Sequence, residues 1–326
     1  MSERLIGIAR IAANAPLREA KRTVEYFDLP AQRLLNRCDS AGVPFRWTIN
    51  PYRGCEFGCQ YCYARYTHEF MELRDPLQFE EKIYAKRWNP DAFRSDLARV
   101  PRDEKIAIGT ATDPYQPAER RYGITRRILE VLRTQRGLSF GLTTKSDLVA
   151  RDAPLLAEIG RHNAVSVCLT ITTLDANLAR LLEPRAPRPE LRLRALATLA
   201  SYGVRAGVAC SPVMPLLNDS EEKIDALARA VKSAGARGLS WRVLFLRPPA
   251  LGVFLRFLEK EFPHLHQRYR RRFEKSSVLT GEYPEKITAM LRAIRGRYGL
   301  EWDGPPPASW GDPQLGFDLT PQAPDQ

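Results

Sequence analysis

The chain has 326 residues, enough for one α/β barrel or two average domains, and hydrophobic residues at 44% can fill a sizeable core. Lys and Arg number 50 against 38 Asp and Glu, and the net charge of +12 favours polyanionic partners. No run approaches the ~18 apolar residues of a spanning helix, the N-terminus lacks a signal peptide's apolar stretch, and six cysteines are too few for a disulfide framework in so long a chain. Membrane and secreted classes are therefore set aside, and a reducing compartment, the cytoplasm, is expected.

Residues 1–42 carry mixed charge without a sustained period and read as an irregular arm with one helix near Gln32 to Arg37. From Phe45 onward, short β-branched runs alternate with helical patterns, the rhythm of βα units on a parallel sheet. The predicted strands are Phe45 to Asn50, Lys105 to Thr110, Ser139 to Thr144, Val165 to Thr172, Arg205 to Ser211 and Leu239 to Leu246. Six such units predict an α/β fold built as a partial (β/α)6, TIM-like barrel.

Between the units, Ala118 to Arg136 reads as one helix with Ile124, Ile128, Val131 and Leu132 on its apolar face and Gly137 just past its end. A later helix is expected to start at Asp219, with Glu222 as capping-box partner and Ile224, Leu227, Ala228 and Val231 inward. A short strand at Lys82 to Lys86 and a helix capped by Asn89 before Pro90 read as an insertion after the first unit. The boundaries that follow are an arm at 1–42, a barrel at 43–250, a basic helical extension at 251–303 and a Pro-rich, disordered tail at 304–326.

Residues 50–70 read NPYRGCEFGCQYCYARYTHEF, which places Cys55, Cys59 and Cys62 directly after the first strand as C-x3-C-x2-C. Three thiolates on a tight Gly-containing loop can ligate three irons of a [4Fe–4S] cluster and leave the fourth open to a small chelating molecule. Two other readings stay open: zinc on the same cysteines with His68 as fourth ligand, and a redox pair at Cys59 and Cys62. Cys38, Cys168 and Cys210 lack ligand spacing, and the last two read as small core residues.

The loop, with aromatic Tyr61 before the third cysteine, resembles that of the radical S-adenosylmethionine enzymes. Together with GTATDPYQPAE at 109–119 and TTKSDLVARD at 143–152 it resembles the spore photoproduct lyase-like, DNA repair photolyase-like group. The resemblance implies a [4Fe–4S] cluster on Cys55, Cys59 and Cys62, S-adenosylmethionine on the open iron, and a one-electron donor of flavodoxin or ferredoxin type. It implies reductive cleavage to methionine and a 5′-deoxyadenosyl radical that takes hydrogen from a substrate. Carried over residue by residue, it points to Tyr61, Thr112, Asp113, Lys145 and Thr170 around the cofactor, and to Tyr61 and Tyr63 near adenine and the hydrogen-return path. One departure stands out: the lyase has a hydrogen-donating cysteine where this chain has Thr110. Faithful repair of the spore thymine dimer is therefore not expected.

Residues 256–297 hold eleven Lys or Arg against five Glu. Arg268, Arg270, Arg271 and Arg272 interleave with Tyr269 and Phe273, a pattern that can contact phosphates and stack on bases, or can form a solvated helix face. The loop Glu183 to Glu190 adds Arg185 and Arg188, either at the barrel mouth or as a rigid turn. Three functions stay open: a radical enzyme on nucleic acid, one on a peptide or small molecule, and a non-catalytic cluster or zinc protein that binds nucleic acid.

Overall fold

The structure is a computed structural model that describes residues 5–302 apart from 22 and 41. In chain order the strands are β1 (Leu17–Lys21), β2 (Val24–Pro30), β3 (Leu35–Arg37), β4 (Trp47–Ile49), β5 (Tyr52–Arg53), β6 (Lys82–Arg87), β7 (Lys105–Ile108), β8 (Ser139–Thr144), β9 (Ala164–Thr170), β10 (Ala206–Val213) and β11 (Leu239–Val243). β4, β7, β8, β9, β10 and β11 lie side by side, all parallel, with β3 antiparallel along the outer edge of β4. Among the described residues β11 and β3 stay apart as the two ends of this sheet, so the six units form an open, partial barrel.

All six predicted strands are present, and Ser139 to Thr144 keeps its predicted limits. The runs that form β9 and β10 are almost wholly buried, as expected of parallel strands covered on both faces. Helices Ile124–Arg133 and Glu221–Ser233 lay Ile128, Leu129, Leu132 and Ile224, Leu227, Ala228, Val231 against the sheet. Each such Val, Leu or Ile side chain removed from water contributes on the order of 1.5–3 kcal/mol.

Several local expectations need correction. The N-terminal segment has no helix at Gln32 to Arg37: Leu35–Arg37 is β3, and the helix lies earlier, at Gly7–Ala13. Its short, unevenly spaced apolar residues carry little period of their own, because their burial comes from pairing with distant chain. Thus β1 and β2 join β6 and β5 in a second sheet of order β1-β2-β6-β5, with β2 parallel to β6. Lys82 to Lys86 is a strand as expected, extended to Arg87, and belongs to that sheet.

The span Ala118 to Arg136 is two helices, Pro117–Tyr122 and Ile124–Arg133, broken at Gly123, whose φ of +58° is left-handed backbone. The second ends at Thr134, so Gly137 belongs to the turn before β8 and not to the helix end. The cap of Glu221–Ser233 is Ser220, which accepts from Lys223 N at 3.4 Å. Asp219 is used elsewhere, by Leu216 N and the Tyr283 hydroxyl. Asn89 caps Pro90–Ala98 as predicted, accepting from Asp91 N and Ala92 N.

Beyond β11 come helices Ala250–Glu261, Pro263–Phe273 and Glu282–Arg297. The first two share a second hydrophobic cluster with the cysteine loop, where Phe254, Phe257, Leu258 and Tyr269 pack with Cys55, Phe57, Cys59 and Tyr61. The Pro-rich stretch 304–326 lies outside the described residues.

Candidate active site

The cysteine loop is built by its backbone. Gly54, with φ +80°, passes so close to the second sheet that a Cβ there would lie 2.6 Å from Lys82 O and 2.9 Å from Phe79 O. Gln116 donates to Gly54 O (3.0 Å) and accepts from Glu56 N (2.9 Å), while Thr112 Oγ1 donates to Gly54 O (2.6 Å). On the far side Gln60 N reaches Leu182 O, Arg185 N reaches Phe57 O, and Arg185 Nη1 lies 3.3 Å from both Glu56 O and Glu80 O. Buried Arg65 donates to Cys59 O (3.0 Å), Pro76 O (2.8 Å) and Glu80 (2.7 Å). The loop is thus clamped from the segment after β7, from Leu182 and Arg185 beyond β9 and from the helical turn Tyr63–Met71.

These clamps bring Cys55, Cys59 and Cys62 to one cavity of about 220 Å³ at the C-terminal ends of the parallel strands, where barrel enzymes place their sites. The same wall carries Thr110, Thr112 and Asp113 after β7, Thr143, Thr144 and Lys145 at β8, Thr170 of β9, Arg242 of β11 and Phe245 just past it. Tyr61 and Tyr63 complete it. Tyr63 donates its hydroxyl to Thr110 O, and its ring lies 5.6 Å from that of Phe245. The Thr110 hydroxyl exchanges hydrogen bonds with the Asn50 amide (3.1 Å).

The other predicted residues are placed as follows. Asp113 accepts from Thr144 Oγ1 (2.6 Å), Lys145 N (2.7 Å) and Tyr115 N (2.9 Å), so both of its oxygens lock the β7 and β8 ends together. The Lys145 ammonium sits 5.6 Å from the centre of the Tyr61 ring. Burial works against its charge, but Cys59, Glu183 and Asp113 outweigh that and hold its pKa above the ordinary lysine value.

Burial also pushes all three thiols up, Cys59 to about 12, and neighbouring thiols add to the effect at Cys55 and Cys59. Ligating iron therefore means releasing protons from groups that hold them tightly, as metal sites commonly require. The donor set fits a [4Fe–4S] cluster: the buried thiols of Cys55 and Cys59 and the partly buried one of Cys62 share one wall, and beside them is the Thr143 hydroxyl, shielded from solvent and without a partner.

His68, the ligand of the zinc reading, is elsewhere: its Nε2 meets Lys82 O at 3.0 Å and its ring packs against Phe79 and Tyr84, off the cavity wall. Among the described residues no three His, Cys, Asp or Glu side chains converge as one metal ion needs. Thiolates that each meet a separate iron of a cubane need not converge. The redox pair of Cys59 and Cys62 alone would leave Cys55 unexplained on the same wall.

Cys168 and Cys210 are fully buried in β9 and β10 and absent from the wall: alternation points Ala209 and Ser211 inward and Cys210 away, while Cys168 shares the face of Thr170 two residues further down the strand. Neither lines the cavity that Thr110 lines. Cys38 packs against Val43, Phe45 and Ala107. Tyr269 and Phe273 are core residues, not a stacking platform: Tyr269 donates to Pro215 O (2.6 Å), and both are buried. Arg268, Arg270, Arg271 and Arg272 lie exposed on the opposite face.

Sequence reasoning missed Gln116, Arg65, Thr143, Arg242 and the pair Glu183–Arg192. Tyr61 and Thr172 donate to Glu183 Oε1, Thr172 at 3.2 Å, while Arg192 binds Oε2 and also donates to Thr170 O (2.9 Å). Burial would raise the Glu183 pKa, yet Arg192, Lys145 and Tyr61 hold it below the usual carboxylate range.

Comparison with known proteins agrees with this geometry. Residues 49–230 match the model of the radical SAM superfamily. An uncharacterized protein of Mycobacterium tuberculosis is 33% identical over 285 residues, 87% of this chain and 84% of that protein. One of Methanocaldococcus jannaschii is 31% identical over 198 residues, 61% of this chain and 71% of that protein. Among solved structures, spore photoproduct lyase with bound AdoMet and dinucleoside spore photoproduct superposes with a TM-score of 0.59 at 15% identity, covering 83% of this chain and 79% of that one. That likeness concerns the fold. No helix among the described residues is long and apolar enough to cross a membrane. With the matched span running from β4 into the helix that follows β10, and with relatives aligned along most of the chain, this protein belongs to the radical SAM superfamily, whose enzymes use a [4Fe–4S] cluster and S-adenosylmethionine.

Proposed function

We propose that Cys55, Cys59 and Cys62 hold the [4Fe–4S] cluster, and that the protein cleaves S-adenosylmethionine reductively to act on nucleic acid. The observation that carries this reading is the meeting of three closely spaced thiols, two buried and one partly buried, with the polar ends of β7, β8 and β9 in one cavity. When bound, the cluster and cofactor supply a 5′-deoxyadenosyl radical able to take a hydrogen atom from an unactivated carbon.

The chain's part is to bind, orient and exclude water. The Lys145 ammonium pairs with the cofactor's carboxylate. The hydroxyls of Thr143 and Thr170 face its polar groups, and Tyr61 lies along the same wall. Thr112 and Asp113 act one step back, holding the cysteine loop and the Lys145 backbone. Phe45, Phe57, Phe79, Leu244 and Phe245 line the cavity with apolar surface that keeps water from the reaction. A one-electron donor of flavodoxin or ferredoxin type starts the cycle, and six free thiols fit a reducing, cytoplasmic setting.

Anaerobic reconstitution followed by dithionite and S-adenosylmethionine is expected to yield 5′-deoxyadenosine. In Lys145→Ala the cofactor affinity should fall roughly 10- to 150-fold, the equivalent of ~1.5–3 kcal/mol for a charge-assisted contact, with iron content unchanged. No 5′-deoxyadenosine from cluster-loaded protein would favour the non-catalytic reading.

Nucleic acid is the favoured substrate class because the net charge is +12, Arg242 enters the cavity wall, and Arg268, Arg270, Arg271 and Arg272 form an exposed basic face on a helix packed beside the cysteine loop. With Tyr269 and Phe273 buried, that face offers phosphates charge without stacking. Meeting about four phosphates would make affinity fall on the order of 100-fold between ~50 and ~200 mM salt. Gel-shift titration with single- and double-stranded DNA and RNA checks this, and no binding at ~50 mM salt moves the substrate to a peptide or small molecule.

A further inference from the structure

We propose that the buried Glu183–Arg192 pair is a positioning device for S-adenosylmethionine, holding Tyr61 and the end of β9 in the arrangement the cofactor meets. The inference rests on the reading that Lys145, Thr170 and Tyr61 contact the cofactor. It adds two residues that touch no reacting atom.

The pair sits where three chain segments converge. Glu183 follows helix Ala176–Leu182 and is 0% exposed, while Arg192, in helix Pro189–Ser201, is 1% exposed. Both Glu183 oxygens and all three Arg192 nitrogens are engaged. Glu183 Oε1 accepts from the Tyr61 hydroxyl and from Thr172 Oγ1, and Oε2 is held by Arg192. Arg192 also spans to Pro187 O (2.9 Å) and to Thr170 O (2.9 Å), the last residue of β9 and a wall of the cavity. The pair therefore links the cysteine loop, through Tyr61, to the strand that presents Thr170. The Tyr61 ring so fixed is the surface over which the Lys145 ammonium lies.

Fold stability alone is a poor reason for this arrangement. A buried ion pair is often no more stabilising than apolar side chains of the same volume. Directionality is what apolar packing would not supply: a carboxylate gripped by a guanidinium fork has one orientation, and a phenol bonded to it has one ring position. Side chains that must meet a small ligand at three points lose binding steeply when they are free to move.

The test uses the reconstituted, cluster-loaded protein and radiolabelled S-adenosylmethionine in equilibrium binding, with iron counted in the same samples. Tyr61→Phe keeps the ring and the ion pair but removes the hydroxyl that Glu183 holds, and it is expected to weaken cofactor binding 5- to 30-fold with iron per chain unchanged. Glu183→Gln should do the same, and its effect should not add to that of Tyr61→Phe in the double variant, because the two act on one contact. In turnover the loss should appear in KM for S-adenosylmethionine and not in kcat. If Glu183→Gln proves insoluble, Tyr61→Phe decides alone. Wild-type affinity in fully loaded Tyr61→Phe overturns the inference. Loaded wild-type protein that binds no S-adenosylmethionine overturns the reading beneath it as well.

Discussion

Replacing any one of Cys55, Cys59 or Cys62 with Ala is expected to take the reconstituted protein from about four irons per chain to nearly none. The three thiols share one wall, and among the described residues His68 is bonded elsewhere, so no neighbouring ligand is placed to take over a vacated iron. Cys168→Ala and Cys210→Ala should keep full iron, because neither lines the cavity, and each should cost only about 1 kcal/mol of stability. Iron and sulfide assays with the visible spectrum check the set. Full iron in any one of the three loop variants would mean that the cluster is held differently, and full stoichiometric zinc without colour would restore a zinc site.

The second large effect concerns Lys86, 8% exposed on β6, whose pKa is pushed down to about 7 by burial and by the charge of Arg53 on the neighbouring strand. In the unfolded chain the group titrates near its ordinary 10.5. Between these values the unfolded state binds the additional proton, so stability rises with pH; the cost of burying Lys86 is full below about pH 7 and fades as pH climbs toward 10.5. At ~1.4 kcal/mol per pH unit, the difference between wild type and Lys86→Met is expected to shrink by roughly 2 kcal/mol from pH 7 to pH 9, with the variant about 3–5 kcal/mol more stable at neutral pH. Urea unfolding of both proteins at pH 7, 8 and 9 measures it. A difference that stays flat with pH would place the Lys86 charge in solvent.

The six parallel strands and the gathering of Cys55, Cys59 and Cys62 on one loop were legible in the amino-acid order because both are local. A buried strand needs a short β-branched run, and a loop that wraps a cluster needs its thiols and glycines within a few residues. Asn89 before Pro90 was readable for the same reason, since a cap acts on amides two and three residues away.

What the order of residues alone left undecided depends on partners far apart in the chain. Gln116 reaches Gly54 and Glu56 across about sixty positions, and Tyr61 meets Glu183 across 122. In sequence each is one polar residue among many. The N-terminal strands were missed because β2 gains its place by pairing with β6, some fifty-five residues on, and a 3- to 7-residue strand carries too little pattern to announce such a partner. The aromatic residues of Pro263–Phe273 show the converse. Tyr269 and Phe273 stand four apart, a spacing that serves an exposed stacking face or a buried seam equally well. Only the helix's contact with the apolar underside of the cysteine-loop cluster turned them inward, leaving the arginines between them to solvent.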